Sequence, residues 1–185
     1  MTMNKKLIPP LIGTAISSVL LLTAGFEGTG RNRLDPRNIG LANRLTSCNS
    51  HEIVGGDVRV GYTPGGYIVF DVRSCKGDSR LIDSLHLLMQ FGSKIKDESF
   101  THLSVASGGE EVYRLEKSDL DELAHQYELG ARIWAFDHWP ERLRKPTGER
   151  AYESWSGGFL GVMKAQAEDL NEALRAWLDK AATST

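Results

Sequence analysis

Cysteine is scarce: Cys48 and Cys75 are the only two in 185 residues. That excludes a cysteine-ligated metal knuckle and a disulfide-dense miniature scaffold. Charge is unpatterned as well, with a formal net value of -2 and no block of one sign. A nucleic-acid binder would show a basic stripe, so nucleic acid is not an expected partner. His51, His86, His102, His125 and His138 are scattered, none at zinc-ligand spacing. His86, inside an apolar helical stripe, reads as a boundary residue. Gly55-Gly56, Gly65-Gly66 and Gly108-Gly109 lack the spacing of a phosphate or dinucleotide loop. No repeat and no low-complexity tract is present. Nothing in the chain asks for a cofactor or a metal.

Long apolar runs are missing too, except one. Lys5 and Lys6 precede the uncharged stretch from Leu7 to Phe26, the basic and apolar regions of an export signal. Thr23-Ala24-Gly25 supplies small residues for cleavage, so residues 1–25 are expected to be a signal peptide. The alternative is a retained anchor over residues 7–26. Pro9-Pro10 limits its continuous helix to roughly 24 Å, short of a hydrocarbon core of about 30 Å. Arg31, Arg33, Arg37 and Arg44 follow the run and offset Lys5 and Lys6, so charge asymmetry does not decide. On either reading the body of the protein lies outside the cytoplasm, periplasmic or extracellular. Removing the leader takes two lysines and no acid, leaving a net charge of -4.

Residues 26–47 read as a linker and lead-in, with Ile39, Leu41 and Leu45 spaced for one short helix. Residues 48–182 read as a single domain. In an oxidising compartment Cys48 and Cys75 are expected to pair, closing a loop worth roughly 3–4 kcal/mol. No Cys-x-x-Cys spacing suggests a redox pair.

The chain is organised around Gly66–Cys75, a β-branched and aromatic run bounded by glycine, read as a central strand buried on both faces. Val58, Val60 and Tyr62 alternate with polar residues as its hairpin partner, across a type II turn at Thr63-Pro64-Gly65-Gly66. Asp78 or Ser79 is placed to cap a helix whose stripe is Leu81, Ile82, Leu85, Leu88, Met89 and Ile95. Phe100–Ala106 and Val112–Leu115 form a second hairpin over Ser107-Gly108-Gly109. A helix capped by Ser118 and closed by Gly130 follows, then an apolar strand at Ala131–Phe136. From Phe159, Leu160, Met163, Ala167, Leu170, Leu174, Trp177 and Leu178 line one face of a closing helix. The fold class is α/β (mixed α+β): a mixed sheet of two hairpins and further strands, covered by three helices.

Two functional readings arise. The run Asp137–Trp155 gathers His138, Trp139, Tyr152 and Trp155 with Arg142, Arg144 and Lys145, in what should be a surface loop. Tryptophan, tyrosine and arginine dominate interface hot spots. His138, Trp139, Arg142, Arg144 and Trp155 are therefore the candidate partner-binding residues, for an unidentified protein or envelope component of acidic character. The plain alternative is that the tryptophans tuck against the closing helix. The second reading is a serine hydrolase. Ser107-Gly108-Gly109 ends a strand, and Ser156-Gly157-Gly158 precedes a helix whose amides would serve as an oxyanion hole. That order, between Phe100 and Met163, resembles Clp-type and signal-peptide-peptidase serine proteases. The resemblance implies Ser156 or Ser107 as nucleophile and His138 or Lys164 as base. The small residues usual around such a nucleophile are missing, and a hairpin turn plus a serine cap account for both motifs. The favoured expectation is a non-catalytic binding module of the cell envelope.

Overall fold

The computed structural model describes residues 36–50, 54, 56–74, 81–153, 155 and 159–182. Five helices and a four-stranded sheet are described in full, in one mixed α/β body. Helix α1 (Pro36–Thr46) leads into strands β1 (Val58–Tyr62) and β2 (Ile68–Val72), then α2 (Leu81–Lys94). Strands β3 (His102–Ser107) and β4 (Glu110–Glu116) follow, then α3 (Lys117–Glu128), α4 (Arg132–Arg142) and α5 (Phe159–Ala182). The sheet order is β1-β2-β3-β4. The two outer pairs are antiparallel hairpins and β2 runs parallel to β3. Parallel neighbours need a crossover, and α2 supplies it.

The hairpin turns follow from their glycines. Gly108 and Gly109 have φ of 61° and 92° and connect Ser107 to its partner Glu110. Two consecutive positive φ values make the primed turn whose twist matches a two-residue hairpin. In the first hairpin the positive φ of 76° falls at Gly66, and Gly66 N donates to Thr63 O at 3.1 Å. The expected type II turn is thus a type I turn closed by a left-handed glycine, the three-residue hairpin loop.

One face of the sheet builds the core. Ile68, Phe70, Val72, Leu103, Val105 and Leu115 are fully buried. The Phe70 ring meets Phe91 of α2 at 5.5 Å and Trp177 of α5 at 6.0 Å. The alternate positions carry Arg59, Asp71, Ser104 and Arg114, with Asp71 buried against Arg73. Strand β2 is central, as its sequence requires, but Val69 is half-buried and Asp71 is ionic. The second face is therefore not the apolar layer expected. Leu41 and Leu45 of α1 are 1% and 3% exposed. The packed body thus already includes Pro36–Thr46, drawn as lead-in from sequence. Asn38 Oδ1 accepts the outward amide of Tyr62 at 2.7 Å, which satisfies a donor on the edge strand.

Three local expectations change. Helix α3 starts at Lys117, and its N-cap residue Glu116 makes no side-chain cap, so Ser118 is not the cap. Its end is as expected: Gly130 at φ 90° donates to Tyr127 O and Ala131 N donates to Gln126 O, the Schellman pattern. Residues 131–136 are not a strand but the first turns of α4. Ala135, Phe136 and Trp139 are buried at helical spacing. Pro140 lies in the last turn, where it removes the amide that would donate to the Phe136 carbonyl and crowds that carbonyl, and the helix ends two residues later. The sheet accordingly holds two hairpins and no further described strand, and the crossover unit occurs once.

Between α2 and α3 lies a directional polar chain. Gln90 Nε2 donates to Ser50 Oγ at 3.0 Å and to Tyr127 Oη at 3.4 Å, while its Oε1 accepts from Ser50 N at 3.1 Å. The Tyr127 hydroxyl is in turn hydrogen-bonded with His86 Nδ1, 2.8 Å away. The ring lies edge-on to Tyr127 and Phe136. Burial, and then the charge of Arg132, lower the His86 pKa below 6.5, with Asp83 opposing. The folded state refuses a proton that the unfolded chain accepts. Its stabilisation is complete above pH 6.5 and is lost as the pH falls from there toward the folded value. His102 shifts the same way, through burial and then Arg114, against Glu111 and Glu116. Melting temperature should therefore fall between pH 7.5 and 5, and His86→Asn should flatten that fall. An unchanged slope in His86→Asn would remove the assignment.

Candidate functional site

Sequence placed five partner-binding candidates in one loop, and the structure separates them. Trp139 is 0% exposed, its ring 5.7 Å from that of Trp177 at a tilt of 51°. It belongs to the core, and its Nε1 is buried without a hydrogen-bond partner among the described residues. Arg142 turns to α3, with Nη1 3.1 Å from Asp119 and Nη2 3.1 Å from Glu122. Arg144 pairs with Glu116 of β4 at 3.7 Å, and its backbone bridges Arg114 and Arg150. Both arginines have their charge matched within the fold, so neither is the open cation on which an acidic partner was expected to settle.

His138 and Trp155 are brought together, and a residue absent from the sequence expectation joins them. Trp134 stacks on His138 with centroids 4.2 Å apart and planes 18° from parallel. His138 Nδ1–H donates to the Trp134 carbonyl at 2.9 Å. Trp155 stands edge-on to His138, at 6.2 Å and 84°, and its Nε1–H donates to Asp169 Oδ2 of α5 at 2.7 Å. The helical spacing of 134 and 138 makes the stack: residues four apart share a face. All three rings are half-buried, and the neighbouring Ile133 is 77% exposed.

Beside this cluster α5 changes character. Its second half covers the sheet through Leu174, Trp177 and Leu178. No residue from Gly161 to Glu172 is buried, and Met163 is 51% exposed. The apolar spacing of Leu174 and Trp177 continues through Leu170, which still packs against the core, and Ala167 to Met163. A second deposit of exposed apolar surface is Leu129 at the end of α3, 67% exposed.

The hydrolase candidates do not assemble among the described residues. Ser107 is 0% exposed and its Oγ accepts the Ala181 amide at 3.1 Å. It ties the end of α5 to the end of β3, and no substrate reaches it. Lys164 is a solvent-facing partner of Glu168 at 3.6 Å, with 76% of its side chain exposed. Ser156 lies outside the described residues. Cys48 is buried and its thiol is pushed up to about 11 by burial. Cys75 lies outside the described residues, so the bridge stays an expectation. No group of three or more histidines, cysteines or acids that could hold a metal occurs among the described residues. No described helix is long and apolar enough to cross a membrane, and residues 7–26 are not among those described.

No family model, curated protein or solved structure matches the chain.

Proposed function

We propose that this protein is an exported, non-catalytic binding module of the cell envelope, working through the exposed side of α4 and the adjoining half of α5. The observation that carries the reading is the Trp134–His138–Trp155 cluster. Trp134 stacks on His138, Trp155 stands edge-on to it and is hydrogen-bonded to Asp169, and all three rings are left half-exposed with Ile133 beside them. Rigid aromatic side chains of this kind supply contact area at low entropic cost on association. The apolar leader read from sequence supports delivery to the envelope, where such a surface would meet its partner.

A photo-crosslinking residue introduced at Ile133, in the protein expressed in its own host, tests this. It should give a discrete adduct in the envelope fraction, while the same residue at the exposed Asp97 gives none. Equal, diffuse labelling from both positions would defeat the reading.

A further inference from the structure

Resting on that reading, the charge around the cluster names the partner's chemistry. Trp134, Asp137, His138 and Glu141 fall three and four residues apart, so they form one stripe of α4. Asp137 and Glu141 are half-buried, and neither takes an ion pair among the described residues. Across the cluster Asp169 accepts from Trp155, and Glu172 is exposed on α5. Three basic residues of α4 and α5 are engaged. Arg142 is held by Asp119 and Glu122, Arg132 lies over the Tyr127 ring at 5.2 Å, and Lys164 pairs with Glu168. The aromatic surface thus has an acidic rim.

We infer that the surface takes a cationic, amphipathic peptide segment of a partner protein. Its apolar positions would lie on Trp134, Trp155 and Ile133. Its arginine or lysine heads would meet Asp137 and Glu141 and the open faces of the indoles, which are negative. This reverses the acidic partner expected from Arg142 and Arg144, because the fold neutralises those two and leaves these carboxylates open.

The test uses the full chain in mild detergent and two synthetic amidated peptides. Both carry leucine at helical spacing, with arginine at every other position in one and glutamate in the other. The arginine peptide should bind, change the tryptophan fluorescence and weaken as salt is raised. Asp137→Asn with Glu141→Gln should weaken it roughly three- to tenfold, and the glutamate peptide should not bind. Asp97→Asn with Glu110→Gln, which removes two exposed charges elsewhere, should leave binding unchanged. Equal weakening in both double variants, or no binding of the arginine peptide, overturns the inference. So does an Ile133 adduct that proves to be a second copy of this chain. A discrete adduct with an acidic protein overturns the cationic assignment while leaving the binding-module reading intact.

Discussion

Trp177→Ala should be the most damaging single substitution on α5, lowering unfolding stability by about 3–5 kcal/mol. The indole is fully buried, 6.0 Å from the Phe70 ring and 5.7 Å from Trp139. It therefore ties the central strand, α4 and α5 together. Its Nε1–H donates to the Ala106 carbonyl at 2.9 Å, so truncation also strands a buried acceptor. The surroundings are rings and strand backbone, which do not collapse into the gap, and the cavity term stays large. Trp177→Phe should cost clearly less, since it keeps most of the volume and loses the hydrogen bond. Urea unfolding of the three proteins decides it, provided the slopes agree. A loss below about 1.5 kcal/mol for alanine would mean that α5 does not pack as described.

Asp71→Ala should cost about 2–4 kcal/mol. Asp71 is 4% exposed, pairs with Arg73 and accepts the Gly109 amide at 3.1 Å. Removing it takes a buried carboxylate away from a guanidinium and from a turn amide. Breaking a fully buried pair costs about 3–5 kcal/mol, and the figure is reduced here because 21% of the Arg73 side chain reaches water. The positive φ of the turn fixes the residue type at 109. A Cβ there would meet Arg73 nitrogens at 2.8 and 2.9 Å, on a backbone with φ of 92°. The double replacement Asp71→Val with Arg73→Leu should recover much of the loss, since it removes both members of the desolvated pair. If Asp71→Ala and the double variant are equally unstable, the pair is not what holds the turn.

The hairpins, the crossover helix and the closing helix were legible because each rests on a local signal: alternation over Val58–Tyr62, the glycine pair at 108–109, and helical spacing over 81–95 and 159–178. Residues 131–136 were misread because a short apolar run carries no period of its own. Only the burial of Ala135, Phe136 and Trp139, against exposed Ile133, shows it to be helical. That error propagated to the site. Taken as a loop, Asp137–Trp155 left Trp139 open between a surface patch and a place against the closing helix; on a helix it faces Trp177 of that closing helix. Trp134 was missed because its partnership with His138 exists only at helical spacing. The ion pairs that occupy Arg142 and Arg144 reach to α3 and β4, contacts that no spacing within the run could reveal.

The central claim is that the half-exposed rings serve binding while the buried ones serve stability. Trp134→Ala in the chain carrying the photo-crosslinker at Ile133 tests it most directly, with melting temperature and adduct yield measured on the same protein. Loss of one half-exposed stack should cost about 1 kcal/mol, which is roughly 2–4 °C for a domain of this size. The account predicts a shift no larger than that, together with loss of the envelope adduct. An adduct formed undiminished by a folded Trp134→Ala protein would contradict it.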